Sequence, residues 1–285
     1  GMGAVGEALA ASARARGVEI RLGVRVARVE LDADGVQGVL LDTGERIAAR
    51  TVVSNADPRS TLRDLVGYRP LDTGFVRRVE GIRMRGMAAK LHLALDGLPA
   101  FRGLDANALG QRLVDCEGLD ALELAMNPAK YREYSPEPVL EISIPTLHDS
   151  TLSPAGKHVL SAIVQYAPCD LAGGWSDAAR SDFLARIMAR LERLAPGIGA
   201  QVLASELRVP PDLEQEFGMA GGHWHHGEIA VDQLLMLRPV VLWAQYAMPP
   251  EGLWLCGAGA HPGGGVMGLA GENCAREILR GRARA

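Results

Sequence analysis

No two of the four cysteines have C-x-x-C spacing; Cys116, Cys169, Cys256 and Cys274 lie far apart. That excludes a zinc ribbon or a dithiol redox motif. It leaves reduced, packed thiols in a reducing, cytoplasmic compartment as the expectation. No apolar run approaches the length of a membrane span, and residues 1–22 lack the apolar stretch of a secretory signal. Charge of one sign is missing too: Lys and Arg number 30, Asp and Glu 34, for a formal net charge of -4. There is no basic field for nucleic acid and no strong acidic field for a cationic partner. The absence of G-x-S-x-G removes the acyl-transfer elbow, and the absence of G-x-x-x-x-G-K-[ST] removes the nucleotide-hydrolysing loop. What remains is a 285-residue chain, 48% hydrophobic, long enough for one large domain or two moderate ones.

The chain opens on a helical pattern, residues 3–16, with Val5, Leu9 and Ala13 on one face and Gly17 as its stop. Period-two alternation then predicts strands at 18–22, 24–31 and 36–42, with a turn at Asp32-Ala-Asp-Gly35. Residues 45–54 complete a three-stranded meander, and Asp57-Pro58 opens a helix at 59–66. Residues 87–95, 139–144, 158–166 and 202–209 read as strands, and 176–194 as a strong helix. This predicts an antiparallel sheet with a helix on one face. A short buried strand at 253–256 enters a glycine-rich turn and a helix at 269–279.

That turn carries the sharpest chemistry. Residues 257–268 hold six glycines between a buried strand and a helix. Glycine lets the backbone approach a flat or anionic ligand closely, and the helix N-terminus favours partial negative charge there. Gly1, Gly3 and Gly6 spell G-x-G-x-x-G, but without a preceding strand they read as a helix start rather than a dinucleotide loop. Residues 221–239 gather His223, His225, His226, Glu228, Asp232 and Arg238. Adjacent histidines without H-E-x-x-H spacing argue against a metal site. They favour a loop facing substrate or cofactor, with plain loop structure as the alternative.

The stretches GMGAVGEALAASARARGVEI, TVVSNADP, LSPAGKHVLSAIVQYAP, GGHWHHGEIAVDQLLMLRP and LWLCGAGAHPGGGVMGLAGENCA resemble the phytoene-desaturase-like FAD-dependent oxidoreductases. The resemblance implies an FAD-binding domain built from separated pieces around a substrate domain. It implies adenine contact through the backbone at Val26, and a cofactor-side turn at Ser54, Asn55 and Ala56. It assigns the ribityl chain, pyrophosphate and ring edge to Gly257, Ala258, Gly259, His261, Gly265, Val266, Met267 and Gly268. The family opens with a βαβ unit that has no counterpart in this sequence, so the chain is expected to be the C-terminal part of such an enzyme. His223 stands where relatives carry other polar residues.

The expected fold class is α+β: part of an α/β FAD-binding domain with a meander (1–58 and 240–285), plus a substrate domain on an antiparallel sheet (59–239). The expected function is hydride transfer between FAD and an apolar small-molecule substrate, with His226, Glu228 and Arg238 on the substrate side. A separate N-terminal dinucleotide-binding chain is the expected partner. Peripheral membrane contact would suit a lipophilic substrate, although the sequence displays no amphipathic anchor. The competing expectation is a non-catalytic partner-binding or regulatory module on the same scaffold.

Overall fold

The computed structural model describes residues 1–282. The chain forms two compact units, Gly1–Ile20 with Gly86–Phe217, and Arg21–Arg85 with Gly218–Ala285. Each encloses its own apolar core.

The unit containing Gly86–Phe217 is built on a five-stranded antiparallel sheet in the order β6-β7-β8-β5-β9. The strands are β5 (Ala88–Leu95), β6 (Leu113–Asp115), β7 (Val139–Ser143), β8 (His158–Gln165) and β9 (Val202–Arg208). Alternation along β5 sends Ala89, Leu91, Leu93 and Leu95 into the core and Lys90 and His92 to the opposite face. The long helix α5 (Asp177–Leu194) adds Phe183, Ile187 and Leu191 to that core, a stripe at helical spacing. Ser176 caps it by accepting from the Ala179 N–H at 3.2 Å. Short helices α3 (Ala106–Leu109), α4 (Leu119–Met126), α6 (Ile198–Gln201) and α7 (Pro210–Phe217) fill the connections. The first helix, α1 (Gly3–Arg14), contains Gly3 and Gly6 and buries none of its residues.

The unit containing Arg21–Arg85 starts with the antiparallel meander β1 (Val26–Asp32), β2 (Gly35–Leu41) and β3 (Arg46–Ala48). Two expectations need correction here. Residues 18–22 alternate but form no strand: Gly17 (φ 81°) and Gly23 (φ 71°) turn the chain at both ends, and Leu22 is exposed. The expected third strand, 45–54, splits. The meander ends at the Ala49 N–H to Gln37 carbonyl bond, and β4 (Val52–Ser54) leaves to pair in parallel with β10 (Leu253–Leu255).

A π-helix, Ser60–Val66, follows β4, and then α2 (Thr73–Glu80); α8 (Leu269–Arg282) closes the unit. The division expected at 58/59 and 239/240 therefore lies elsewhere. Leu62, Leu71, Phe75, Val79, Ile82 and Met84 share one core with Leu253, Leu255, Ala270 and Cys274. Burial of their apolar surface groups 59–85 with the strands that flank the glycine-rich turn.

Candidate cofactor and substrate site

Side by side, β4 and β10 run in register, Ser54 opposite Leu255, and end together. The Cys256 N–H donates to the Ser54 carbonyl at 2.9 Å. From there two turns diverge and pack on each other. A Cβ at Gly257 would lie 2.6 Å from the Asn55 carbonyl oxygen, and one at Gly259 would lie 2.4 Å from Pro58 Cδ. These two glycines are required by the contact between turns, not by a positive φ. The first turn is held from within: Ser54 Oγ lies 2.7 Å from Thr61 Oγ1 and accepts from the Ala56 N–H at 3.2 Å. Asp57 Oδ1 accepts from the N–H groups of Arg59 and Ser60, each at 2.9 Å, and so caps the π-helix.

Beyond Gly259 the turn opens outward. Gly263, Gly265 and Gly268 have φ of 109°, 123° and 69°, and Val266 has φ 60°. Residues 265–269 are exposed, with Val266 and Met267 outward. The Glu272 N–H bonds to the Gly268 carbonyl at 3.0 Å. The first-turn N–H groups of a helix have no acceptor within the helix, which gives α8 a positive end suited to an electron-rich carbonyl or phosphate edge.

The third wall is the histidine loop. A Cβ at Gly259 would also come within 3.2 Å of His226 Cβ, and one at Gly264 within 3.1 Å of His225 Nδ1. Burial pulls all three histidines toward the neutral form, His223 to about 4, with neighbouring His225 adding to that shift. At His226 burial is opposed by the negative charge of Asp57. Burial also lowers Arg238, which is only 2% exposed. Its guanidinium makes no ion pair among the described residues; it donates to the backbone carbonyls of Ala258, His225, Gln233 and Glu228. It is a strut between the histidine loop and the glycine-rich turn, not a group free to touch a substrate.

Glu228 is held differently. Its carboxylate pairs with Arg83 Nε at 2.9 Å, and Arg83 also grips Asp232. Gln233, buried, completes the joint: its Oε1 accepts from the Arg83 N–H at 2.7 Å, and its Nε2 donates to the Arg83 and Glu228 carbonyls. Buried Nδ1 atoms of His226 and His261, and Oδ2 of Asp57, have no partner among the described residues.

The structure thus brings together Ser54, Asn55, Ala56, Gly257, Ala258, Gly259 and His226, with Arg238 as their fastening. Gly265, Val266, Met267 and Gly268 lie on the open side of the same turn. Val26 stands apart, half-buried at the start of β1 opposite Leu41. Sequence reasoning gave Asp57-Pro58 only a helix-opening role and passed over Arg83 and the burial of Gln233. The D-P pair was a legible cap signal, whereas nothing local marked Gln233 as buried.

In the other unit, the outer face of the sheet carries Glu141, Ile163, Lys90 and Arg208 in one cross-strand row. Burial lowers the Lys90 ammonium and the neighbouring His92.

The family model for flavin containing amine oxidoreductases matches residues 1–279. The chain belongs to that family. It is 39% identical over 292 residues to mouse pyridine nucleotide-disulfide oxidoreductase domain-containing protein 2, covering 98% of this chain and 50% of the relative. It is 24% identical to a lycopene-forming phytoene desaturase from Paracoccus, over 90% of this chain and 49% of the relative. The chain spans about half the length of the curated relatives it matches. Among solved structures, a putrescine oxidase redesigned in cofactor binding aligns with TM-score 0.60 at 17% identity, over 96% of this chain and 51% of the other. An oxidoreductase from Methanosarcina mazei aligns with TM-score 0.55 at 18% identity, over 96% and 53%. These likenesses establish the fold. The family is one of flavin-containing oxidoreductases. No helix among the described residues is long and apolar enough to cross a membrane.

Proposed function

We propose that this chain is the C-terminal part of an FAD-dependent oxidoreductase that moves hydride between the flavin and an apolar small molecule. The observation that carries the reading is the paired turn: Asn55 against Gly257 and Pro58 against Gly259, beside the exposed N-terminus of α8. The residues suit a flavin on two counts. Residues 265–269, two of them glycine, are exposed just ahead of and at the start of α8, and the nearby Nδ1 atoms of His226 and His261 are buried without a partner among the described residues. When bound, the flavin supplies the two-electron chemistry.

The chain's own residues would do the rest. Ser54, Asn55 and Ala56 with Gly257, Ala258 and Gly259 form the floor. His261, Gly265 and Gly268 would leave room for close approach, and Val266 and Met267 would flank the flat ring. The α8 N-terminus would favour negative charge on a flavin held there. His226, neutral through burial, and Glu228 face the substrate side, and Arg238 positions both. Val26 is kept as an adenine-side contact.

A partner is part of this reading. Among the described residues β4 has β10 on one edge and no strand on the other, and Val53 is exposed. Parallel sheets are normally wider than two strands and covered on both faces, so the open edge of β4 is assigned to a strand from a separate N-terminal dinucleotide-binding chain.

The test is to titrate FAD into the chain alone and into the chain co-expressed with the N-terminal portion of a relative. The expected result is a shifted, fluorescence-quenched flavin spectrum in the complex. A folded complex that leaves flavin unshifted would overturn this reading and favour a non-catalytic binding module.

A further inference from the structure

Three buried polar atoms around the paired turns have no hydrogen-bond partner among the described residues: Asp57 Oδ2, His226 Nδ1 and His261 Nδ1. Buried polar atoms are nearly always paired, so each such atom asks for an explanation. Asp57 is only 2% exposed. Its Oδ1 is engaged by the N–H groups of Arg59 and Ser60. Capping therefore accounts for one carboxylate oxygen and leaves the other.

Gly259 brings the Asp57 turn and His226 together. A Cβ at Gly259 would lie 2.4 Å from Pro58 Cδ and 3.2 Å from His226 Cβ, so the residue after Asp57 and the base of the imidazole share one contact point. His226 is fixed there at φ 55°, with its N–H bonded to the His223 carbonyl at 2.9 Å. The Asp57 carboxylate is the one neighbour that favours a charged His226; burial, Arg238 and His225 all oppose it. The two ring nitrogens differ. Nδ1 is buried, whereas Nε2, also without a hydrogen bond among the described residues, is not fully buried.

We propose that Asp57 is the positioning residue of His226: its Oδ2 keeps the proton of the neutral ring on the buried Nδ1 and so leaves the lone pair on Nε2. A neutral imidazole has one donor and one acceptor nitrogen, and what one nitrogen meets sets the role of the other. The free side chain prefers the opposite form, with its proton on Nε2. The role in the reaction rests on the hydride-transfer reading above. Two-electron oxidation of a substrate breaks one C–H bond, whose hydride goes to the flavin, and frees one proton from the adjacent atom. His226 Nε2 accepts that proton, and the Asp57 carboxylate offsets the imidazolium charge until the proton passes to solvent.

The test needs no flavin, so its failure is distinct from a failure to bind one. The 285-residue chain is labelled with nitrogen-15 histidine, and His226 is assigned by its loss in His226→Gln. At about pH 7.5 its ring-nitrogen shifts should report mainly the Nδ1–H form. Asp57→Asn keeps the capping oxygen but turns an amide NH2 toward the ring. The ratio of Nδ1–H to Nε2–H should then fall on the order of tenfold, the scale of one nearby opposite charge. His226 should also titrate at lower pH in Asp57→Asn, because the charge that favoured the imidazolium is gone. Three results would overturn the proposal: a His226 mainly in the Nε2–H form in the unsubstituted chain, a ratio and titration unmoved by Asp57→Asn, or a response confined to His261. The first needs no change at Asp57, so it decides the matter even where Asp57→Asn fails to fold.

Discussion

The Arg238 guanidinium donates twice to one acceptor, the Ala258 carbonyl, through Nε at 3.0 Å and Nη2 at 2.9 Å. The same Nη2 reaches the His225 carbonyl. One side chain therefore fastens two loops more than 30 residues apart in sequence. Arg238→Ala would leave several buried carbonyls without donors, each costing roughly 1–3 kcal/mol. The expected loss is about 3 kcal/mol or more by urea denaturation. Arg238→Lys should restore only part of it, since an ammonium cannot reproduce the planar fork.

Gly259→Ala tests the contact between turns. Its Cβ would sit 2.4 Å from the Pro58 ring, which cannot rotate away. The expected loss is about 1–3 kcal/mol, as for other overpacked sites, with flavin affinity lost alongside. Gly271→Ala is the control. It lies within α8 with open space at the Cβ position, and should be neutral or stabilising by about 1 kcal/mol.

Asp57 offers a second separation. Its Oδ1 caps the π-helix while its buried Oδ2 has no partner. Asp57→Ala should cost about 1 kcal/mol of thermal stability. Asp57→Asn keeps the capping oxygen and removes a buried charge, so it should retain most of that stability. Equal losses from both substitutions would contradict this assignment of the two oxygens.

Acid should loosen the histidine loop. His223 is held near 4 against an ordinary value of 6.5, chiefly by burial, and His225 and His226 are lowered as well. The unfolded chain therefore binds protons that the folded chain refuses. Stability is full above about pH 6.5 and is lost as pH falls from there toward about 4. Thermal melts from pH 8 to pH 4.5 should show Tm falling through this window. His223→Gln should flatten the slope.

How much of this was legible depended on the scale of the signal. The pattern of β5, Ala89 to Leu95 in alternate steps, needs only local periodicity, and so does the Phe183, Ile187, Leu191 stripe of α5. The close packing of the glycine-rich turn was legible in its six glycines. Residues 18–22 misled because alternation states a preference for a sheet but does not provide a neighbour; Gly17 and Gly23 turn the segment out of reach of one. The split of 45–54 was hidden for the same reason, since the partner of β4 lies at Leu253. Arg238 was placed in the right neighbourhood but in the wrong role: burial among carbonyls is set by Gln233, His225 and Ala258 converging, which no single window contains.

The parallel pairing of Val52 with Leu253 joins positions 201 apart (253 minus 52). That separation sets an order of events during synthesis. The segment Gly86–Phe217 can complete its antiparallel sheet as soon as it emerges, because all five strands lie within it. Residues 21–85 cannot. Their meander forms early, but Leu62, Phe75 and Val79 must wait for Leu253, Leu255 and Cys274 before their apolar surface is covered. Closing so long a loop is slow, and the waiting surface is sticky. The half-finished chain, rather than the finished one, is the form most exposed to aggregation and most in need of a chaperone.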